Sequence, residues 1–212
     1  RTYEDGERLV TTPPWTAYLK IAEGCSNGCA FCIIPKLRGK YRSRSPEALL
    51  AEAEKLADSG VEELIVIAQD ITRYGQDLEE ETSLARLLDE LCRLDFRWIR
   101  LHYLYPEAIT GELIETIASQ PKILHYLDIP IQHCNDAILA RMRRRNTKAE
   151  LTALFARLRE AMPDVVLRTS LICGLPGEGE AEFEELCQFL REQALQRVGV
   201  FQFSPEEGTL AA

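Results

Sequence analysis

Three cysteines in the stretch Glu23-Gly24-Cys25-Ser26-Asn27-Gly28-Cys29-Ala30-Phe31-Cys32 are spaced C-x3-C-x2-C, directly after a strand-like run. Three thiolates from one short loop can grip three corners of an iron-sulfur cube and leave the fourth iron without a protein ligand, open to a substrate. Gly24 and Gly28 free the backbone to wrap round such a cluster, because glycine reaches positive φ without a steric penalty. Phe31, between the second and third cysteines, would keep water off one side. Zinc is the weaker candidate: its sites ordinarily take four Cys or His ligands, commonly as two separated pairs, and no second C-x2-C or H-x3-H follows. A disulfide with a spare thiol would suit a secreted protein, which nothing in the sequence indicates.

The other cysteines have plainer readings. Cys92 follows Leu84 and Leu88 at helical spacing and Cys187 follows Phe183 likewise, so both are expected to face a core; Cys173 reads as strand core and Cys134 as a buried free thiol. With three of the seven cysteines crowded in one loop and the rest apart, a disulfide framework is not expected. At 212 residues and 46% hydrophobic, the chain can bury one sizeable core. No run approaches the ~18 to 20 apolar residues that a membrane span requires. The expectation is a soluble protein of a reducing, cytoplasmic compartment with no membrane partner.

The formal net charge of -9 disfavours a stand-alone nucleic-acid binder, since such binding draws on phosphate neutralisation, and suits a basic protein partner better. Arg141, Arg143, Arg144 and Arg145 form the one basic run. They read as a solvated helix end complementing the negative dipole, with RNA contact as the rival reading. His102, His125 and His133 receive no catalytic role, and Tyr103, Tyr105 and Tyr126 either frame a substrate or pack.

The elements that must position the cysteine loop alternate along the chain. Strands are predicted over Trp15 to Ala22, Leu64 to Ala68, Trp98 to Leu104, Tyr126 to Ile131, Val165 to Ile172 and Arg197 to Phe203, with Lys36 to Arg44 a basic flexible segment. Between them, Ser45 caps a helix with Pro46 at its first position and an apolar stripe of Leu49, Leu50, Ala53, Leu56 and Ala57 ending at Gly60. Helices follow over Ser83 to Leu94, about Thr110 to Ser119, two pieces broken around Asn146, and one striped by Phe183, Leu186, Cys187 and Leu190. Six strands alternating with helices imply an α/β fold with a parallel sheet. Pattern alone leaves an open doubly wound sheet and a barrel both standing. By period-2 alternation Arg168 and Ser170 share a face with Ile172, Asp128 shares one with Gln132, and Arg100 with His102. Such polar faces need a ligand-filled or hydrated interior, or a polar network that satisfies itself. Gly174-Leu175-Pro176-Gly177-Glu178 lacks the lysine and Ser or Thr of a P-loop and reads as a strand-to-helix turn.

The C-x3-C-x-aromatic-C motif after the first strand resembles that of the radical S-adenosylmethionine (radical SAM) enzymes. Further words narrow the resemblance: Lys20-Ile21-Ala22-Glu23-Gly24-Cys25, Cys32-Ile33-Ile34-Pro35 with Arg38-Gly39, Leu104-Tyr105-Pro106-Glu107, Leu127-Asp128-Ile129-Pro130-Ile131-Gln132-His133 and Ser204-Pro205-Glu206-Glu207-Gly208-Thr209. Together they resemble the methylthiotransferases, RimO type, over almost the whole chain.

The resemblance implies a partial (β/α)6 radical SAM barrel over residues 15–204, the central domain only. Residues 1–14 would then be a linker from an upstream domain carrying a second cluster, and 205–212 the start of a linker to a downstream TRAM barrel. It implies a [4Fe-4S] cluster on Cys25, Cys29 and Cys32, no other catalytic residue, and S-adenosylmethionine cleaved to a deoxyadenosyl radical. The implied outcome is methylthiolation of an aspartate in a small-subunit ribosomal protein, on or near that subunit, with an external electron donor. Ala68-Gln69-Asp70 stands where many relatives carry Gly-Gly-Glu for the methionine amino group, so Gln69 and Asp70 are implied there. Gln132 would meet the ribose, Arg168 with Ser170 beside it the carboxylate, and Phe31, Ile172, Gly174 and Phe203 the adenine side. The rival enzyme is a transfer-RNA adenosine methylthiotransferase, and the rival of another class a non-catalytic metal-binding interaction module.

Overall fold

The computed structural model describes residues 11–212. The predicted linker at 1–14 therefore lies mostly outside the described residues. Strand β1 (Thr16–Lys20) leads into the two-residue strand β2 (Ala22–Glu23), the cysteine loop, helix α1 (Ile34–Arg38) and strand β3 (Arg42–Ser43). Then come α2 (Pro46–Asp58), β4 (Glu63–Ile67), α3 (Leu84–Arg93), β5 (Trp98–Leu101), α4 (Gly111–Ser119), β6 (Ile123–Asp128), α5 (Asp136–Arg141), α6 (Lys148–Ala161), β7 (Val166–Cys173), α7 (Glu180–Gln193) and β8 (Arg197–Gln202). Ser45, the cap expected from the sequence, accepts a backbone N–H at the start of α2, and Ser83, Thr110, Asn135 and Thr147 do the same at the starts of α3, α4, α5 and α6.

The main sheet runs β1-β4-β5-β6-β7-β8, every neighbouring pair parallel. Its spatial order follows the chain without the reversal that defines a doubly wound sheet. This is the order of a barrel, left open because β1 and β8 each have a single partner. The convex face is sealed by helices: Leu64, Val66, Ile99, Leu101, Leu167 and Leu171 are buried beneath Leu49, Leu88, Leu91, Ile117, Leu158 and Leu186. The concave face alternates with it and stays partly open, carrying Arg100, Arg168, Ser170 and Ile172.

Several boundaries differ from the sequence-based expectation. Lys36 to Arg44 is not a flexible segment, since α1 occupies its start and β3 pairs antiparallel with β2 near its end. β5 stops at Leu101, just before Tyr103 takes φ +66°, a value no strand tolerates. β6 spans Ile123–Asp128 rather than Tyr126 to Ile131, because Pro130 has no N–H to continue the ladder. On α7, Leu186 and Phe189 are buried while Phe183 is exposed and Cys187 is half-buried; Cys173, at the end of β7, packs partly buried against the core. Cys92 and Cys134 are buried free thiols.

Candidate functional site

The cysteine loop begins at Gly24, whose φ is +81° and whose position admits no side chain: a Cβ there would lie 2.3 Å from the Lys40 carbonyl oxygen. The Cys25 N–H donates to Gly39 O at 3.1 Å and the Tyr41 N–H to Ser26 Oγ at 3.1 Å, so the segment between α1 and β3 braces one side of the loop. At its tip Asn27 donates to Asp70 Oδ2 at 2.8 Å and accepts from Arg73 Nε at 2.8 Å. Its far side is held by the Ala30 N–H on Met142 O, while the Ala211 N–H donates to Ala30 O at 3.0 Å. Residues near the C-terminal end of the described chain, expected as the start of a linker, thus lie against the loop.

All three cysteines are free and half-buried. Burial pushes the Cys25 thiol up, with the charges of Cys29, Asp70 and Cys32 acting the same way. Burial and then Cys29 act alike on Cys32, partly opposed by the Ile34 N–H. Crowded thiols that resist ionisation one beside another need a strongly cationic group to become thiolates together. Among the described residues no three Cys, His, Asp or Glu side chains converge where one metal ion could hold them. A cluster asks for something else, one thiolate on each of three irons, and three free cysteines on one tightly braced loop fit that demand.

Beside the loop lies a cavity of about 260 Å³ lined by Phe31, Gln132, Ser170, Ile172, Phe201, Gln202, Phe203 and Ser204. Five of the residues singled out from the sequence (Phe31, Gln132, Ser170, Ile172 and Phe203) therefore come together. Gln132 reaches it through a strained turn, φ +72°, held by its N–H on Ser170 O and by its carbonyl receiving the Ile172 N–H. Gly174, φ +83°, stands just past the end of β7 with open space where a Cβ would go.

The remaining three sit elsewhere. Asp70, almost fully buried, is engaged by Asn27, by the Thr72 N–H and hydroxyl, and by Arg73 at 3.2 Å, so both its oxygens are committed to protein groups. Gln69 keeps a buried Oε1 without a hydrogen-bond partner among the described residues. Arg168 donates to the buried Asp128 at 2.5 Å, and Asp128 also meets His102 Nδ1 at 3.3 Å. Arg100 pairs with Glu63. Part of the concave polar face thus satisfies itself, while Ser170 makes no side-chain hydrogen bond to another described residue. Glu178 accepts the Gly174 and Leu175 N–H groups, which makes the glycine-rich segment a strand-to-helix turn.

The family model described as the Radical SAM superfamily matches residues 19–190. The chain belongs to the radical SAM superfamily. A solved radical SAM methyltransferase, TsrM from Kitasatospora setae with cobalamin and a [4Fe-4S] cluster bound, shares the fold at TM-score 0.73 and 16% identity, over 88% of this chain and 36% of that one. SuiB from Streptococcus suis, bound to S-adenosylmethionine, does so at TM-score 0.63 and 16% identity, over 93% and 43%. Much nearer in sequence are proteins named Ribosomal protein uS12 methylthiotransferase RimO. That of Trichlorobacter lovleyi is 54% identical over 99% of this chain and 47% of its own length, and that of Geobacter sulfurreducens 55% identical over 97% and 46%. The chain spans about half the length of the curated relatives it matches.

In this radical SAM chain, sequence reasoning missed the residues that hold the loop from outside it. Asn27 and Arg73 carried no motif. Arg144 was assigned to a solvated helix end, yet it is 7% exposed. The cause is local: α5 closes with the Arg143 N–H on Ala140 O and the Arg144 N–H on Leu139 O, with Arg143 in the left-handed region at φ +55°. This is a Schellman ending in which arginine occupies the place glycine usually takes, and it turns the next side chain inward. Without the glycine, the sequence carried no sign of the reversal.

Proposed function

We propose that this chain is the radical-generating core of a methylthiotransferase that modifies an aspartate side chain of a small-subunit ribosomal protein. The observation that carries the reading is the cavity of about 260 Å³ that shares Phe31 with the cysteine loop and has room for a nucleoside. The names of relatives at 54% identity support the choice of substrate class. Cys25, Cys29 and Cys32 hold the cluster in this reading. Bound there, a [4Fe-4S] cluster with one open iron would supply the electron that breaks the sulfonium C–S bond of S-adenosylmethionine to give a deoxyadenosyl radical.

The chain's own residues bind, orient and exclude water. Phe31, Ile172 and Phe203 offer apolar surface to a base, and Gln132 and Ser170 offer polar groups to a ribose. Gln69, with its unpartnered Oε1, is the better candidate of its pair for an ammonium group, because the oxygens of Asp70 are already taken. Arg168 could reach a carboxylate while remaining on Asp128. Residues 15–204 form the catalytic core in this reading, with sulfur delivery left to a second cluster elsewhere in the full-length protein. No helix among the described residues is long and apolar enough to cross a membrane; a ribosomal-protein substrate would place the reaction in the cytoplasm, with electrons from an external donor.

The test is anaerobic reconstitution of the full-length protein, followed by addition of a reductant, S-adenosylmethionine and, in parallel, the ribosomal protein or transfer RNA. The expected result is a reduced-cluster paramagnetic spectrum that changes on addition, deoxyadenosine release, and one methylthio group on the ribosomal-protein aspartate by mass spectrometry. Modification of transfer-RNA adenosine instead would move the reading to the rival enzyme, and a spectrum indifferent to S-adenosylmethionine would remove the enzymatic reading.

A further inference from the structure

Arg144 is an almost completely buried guanidinium, with no carboxylate within ion-pair distance among the described residues. One of its nitrogens donates to Pro130 O at 2.8 Å, its plane lies over the Tyr105 ring at 3.9 Å, and Nε has no hydrogen-bond partner among the described residues. The charge of Glu107 acts on Arg144 from a distance, while its carboxylate oxygen lies 3.4 Å from Arg73. A guanidinium this deeply buried is stabilised further by an anion in direct contact with it. Among the described residues, the one hydrogen-bond partner of Arg144 able to become an anion is Cys29, whose sulfur lies 3.8 Å from Nη1. Tyr105, under the same guanidinium, places its hydroxyl 3.5 Å from that sulfur. As a thiol, Cys29 could give or take that hydrogen bond; as a metal-bound thiolate it can only accept. Both neighbours then donate to one sulfur. No side-chain donor approaches Cys25 or Cys32 among the described residues.

We infer that Arg144 and Tyr105 are positioning residues that set the reduction potential of the cluster by donating to the Cys29 thiolate. The inference rests on the proposed cluster assignment. A positive charge and hydrogen bonds at a ligating sulfur stabilise the form of a cluster that carries one more electron, so they raise its potential. The geometry gives the two residues unequal shares, since Arg144 brings a full charge and Tyr105 a dipole. It also accounts for Pro130, whose carbonyl fixes one edge of the guanidinium so that another faces the sulfur.

The experiment is a redox titration of the reconstituted full-length protein, read on the cluster whose paramagnetic spectrum responds to S-adenosylmethionine. Arg144→Gln, Arg144→Lys and Tyr105→Phe are compared at matched iron content. At the wild-type midpoint, Arg144→Gln is expected to hold at least tenfold less reduced relative to oxidised cluster, a shift of about 59 mV or more for one electron. Arg144→Lys restores part of the shift because the charge remains, and Tyr105→Phe produces a smaller displacement in the same direction. Unchanged midpoints in Arg144→Gln and Tyr105→Phe overturn the inference. If Arg144→Gln fails to retain its cluster, Arg144→Lys and Tyr105→Phe decide, and wild-type midpoints in both overturn it. A wild-type protein without any responsive cluster defeats the proposed function instead, so the two failures are told apart.

Discussion

Asn27 donates its side-chain amide to the Asp70 carboxylate at 2.8 Å, tying the tip of the cysteine loop to the end of β4 across 43 positions of sequence. Arg73 closes the triangle by contacting both residues. Asp70→Ala leaves a guanidinium and an amide facing a buried gap and should lower stability by about 2–3 kcal/mol. Denaturant titration measures that loss, and iron content after reconstitution should fall with it. Full iron binding in Asp70→Ala would show that the loop holds its shape without this tie.

Gly24 and Gly28 separate space from backbone conformation. Both have positive φ, but a Cβ on Gly24 strikes the Lys40 carbonyl whereas one on Gly28 meets nothing within 4 Å. Gly28→Ala should cost about 1 kcal/mol and keep the cluster. Gly24→Ala must also push the backbone of Gly39 and Lys40 away from the loop, so it should cost more than about 2 kcal/mol and lose most of the iron. Iron assay and thermal melting of the two variants, side by side, check this.

Gln132 offers a similar separation at the cavity. Gln132→Gly removes the side chain and relieves the strained φ, while Gln132→Ala removes the side chain alone. The glycine variant should therefore be at least as stable as the alanine variant, by about 1 kcal/mol. Both should weaken S-adenosylmethionine binding equally. Ser170→Phe, which fills the same cavity, should weaken binding at least tenfold with iron content unchanged. Calorimetric titration that found wild-type affinity in Ser170→Phe would place the nucleoside elsewhere.

Cys134 makes stability depend on alkaline pH. Burial pushes its thiol from the ordinary 9.0 up to about 12, with the charge of Glu185 adding to the effect and Lys148 opposing it. Between those values the unfolded chain has lost the proton and the folded chain keeps it, so stability is full below pH 9.0 and falls as pH rises toward 12. By about pH 10.5 the loss from this thiol should be about 1–2 kcal/mol. Cys92, raised to about 11, adds in the same direction. Cys134→Ala should flatten the slope between about pH 9 and 10.5 in chemical denaturation, and an unaltered slope would assign the alkaline loss to other groups.

The α/β alternation, the helix cap at Ser45 and the cysteine spacing were legible in the sequence because each is a signal spanning a few neighbouring residues. The open barrel was legible only through the family resemblance. Periodicity fixes which face of a strand is apolar, but not the order in which strands pair. Strand ends at Tyr103 and Pro130 were misjudged because apolar content continues past the point where backbone geometry stops the ladder.

By itself, then, the sequence determined the three-thiol loop, the elements that deliver it, and the residues of β7 that face inward, since spacing and alternation are properties of a local chain. Only the tertiary structure decided that Asp70 is spent on Asn27, Thr72 and Arg73 rather than left for a ligand. It alone brought Arg144 to Cys29 across 115 positions. Such meetings depend on how six strands curl and how one helix ends, and no window of neighbouring residues records a contact made between distant parts of the chain.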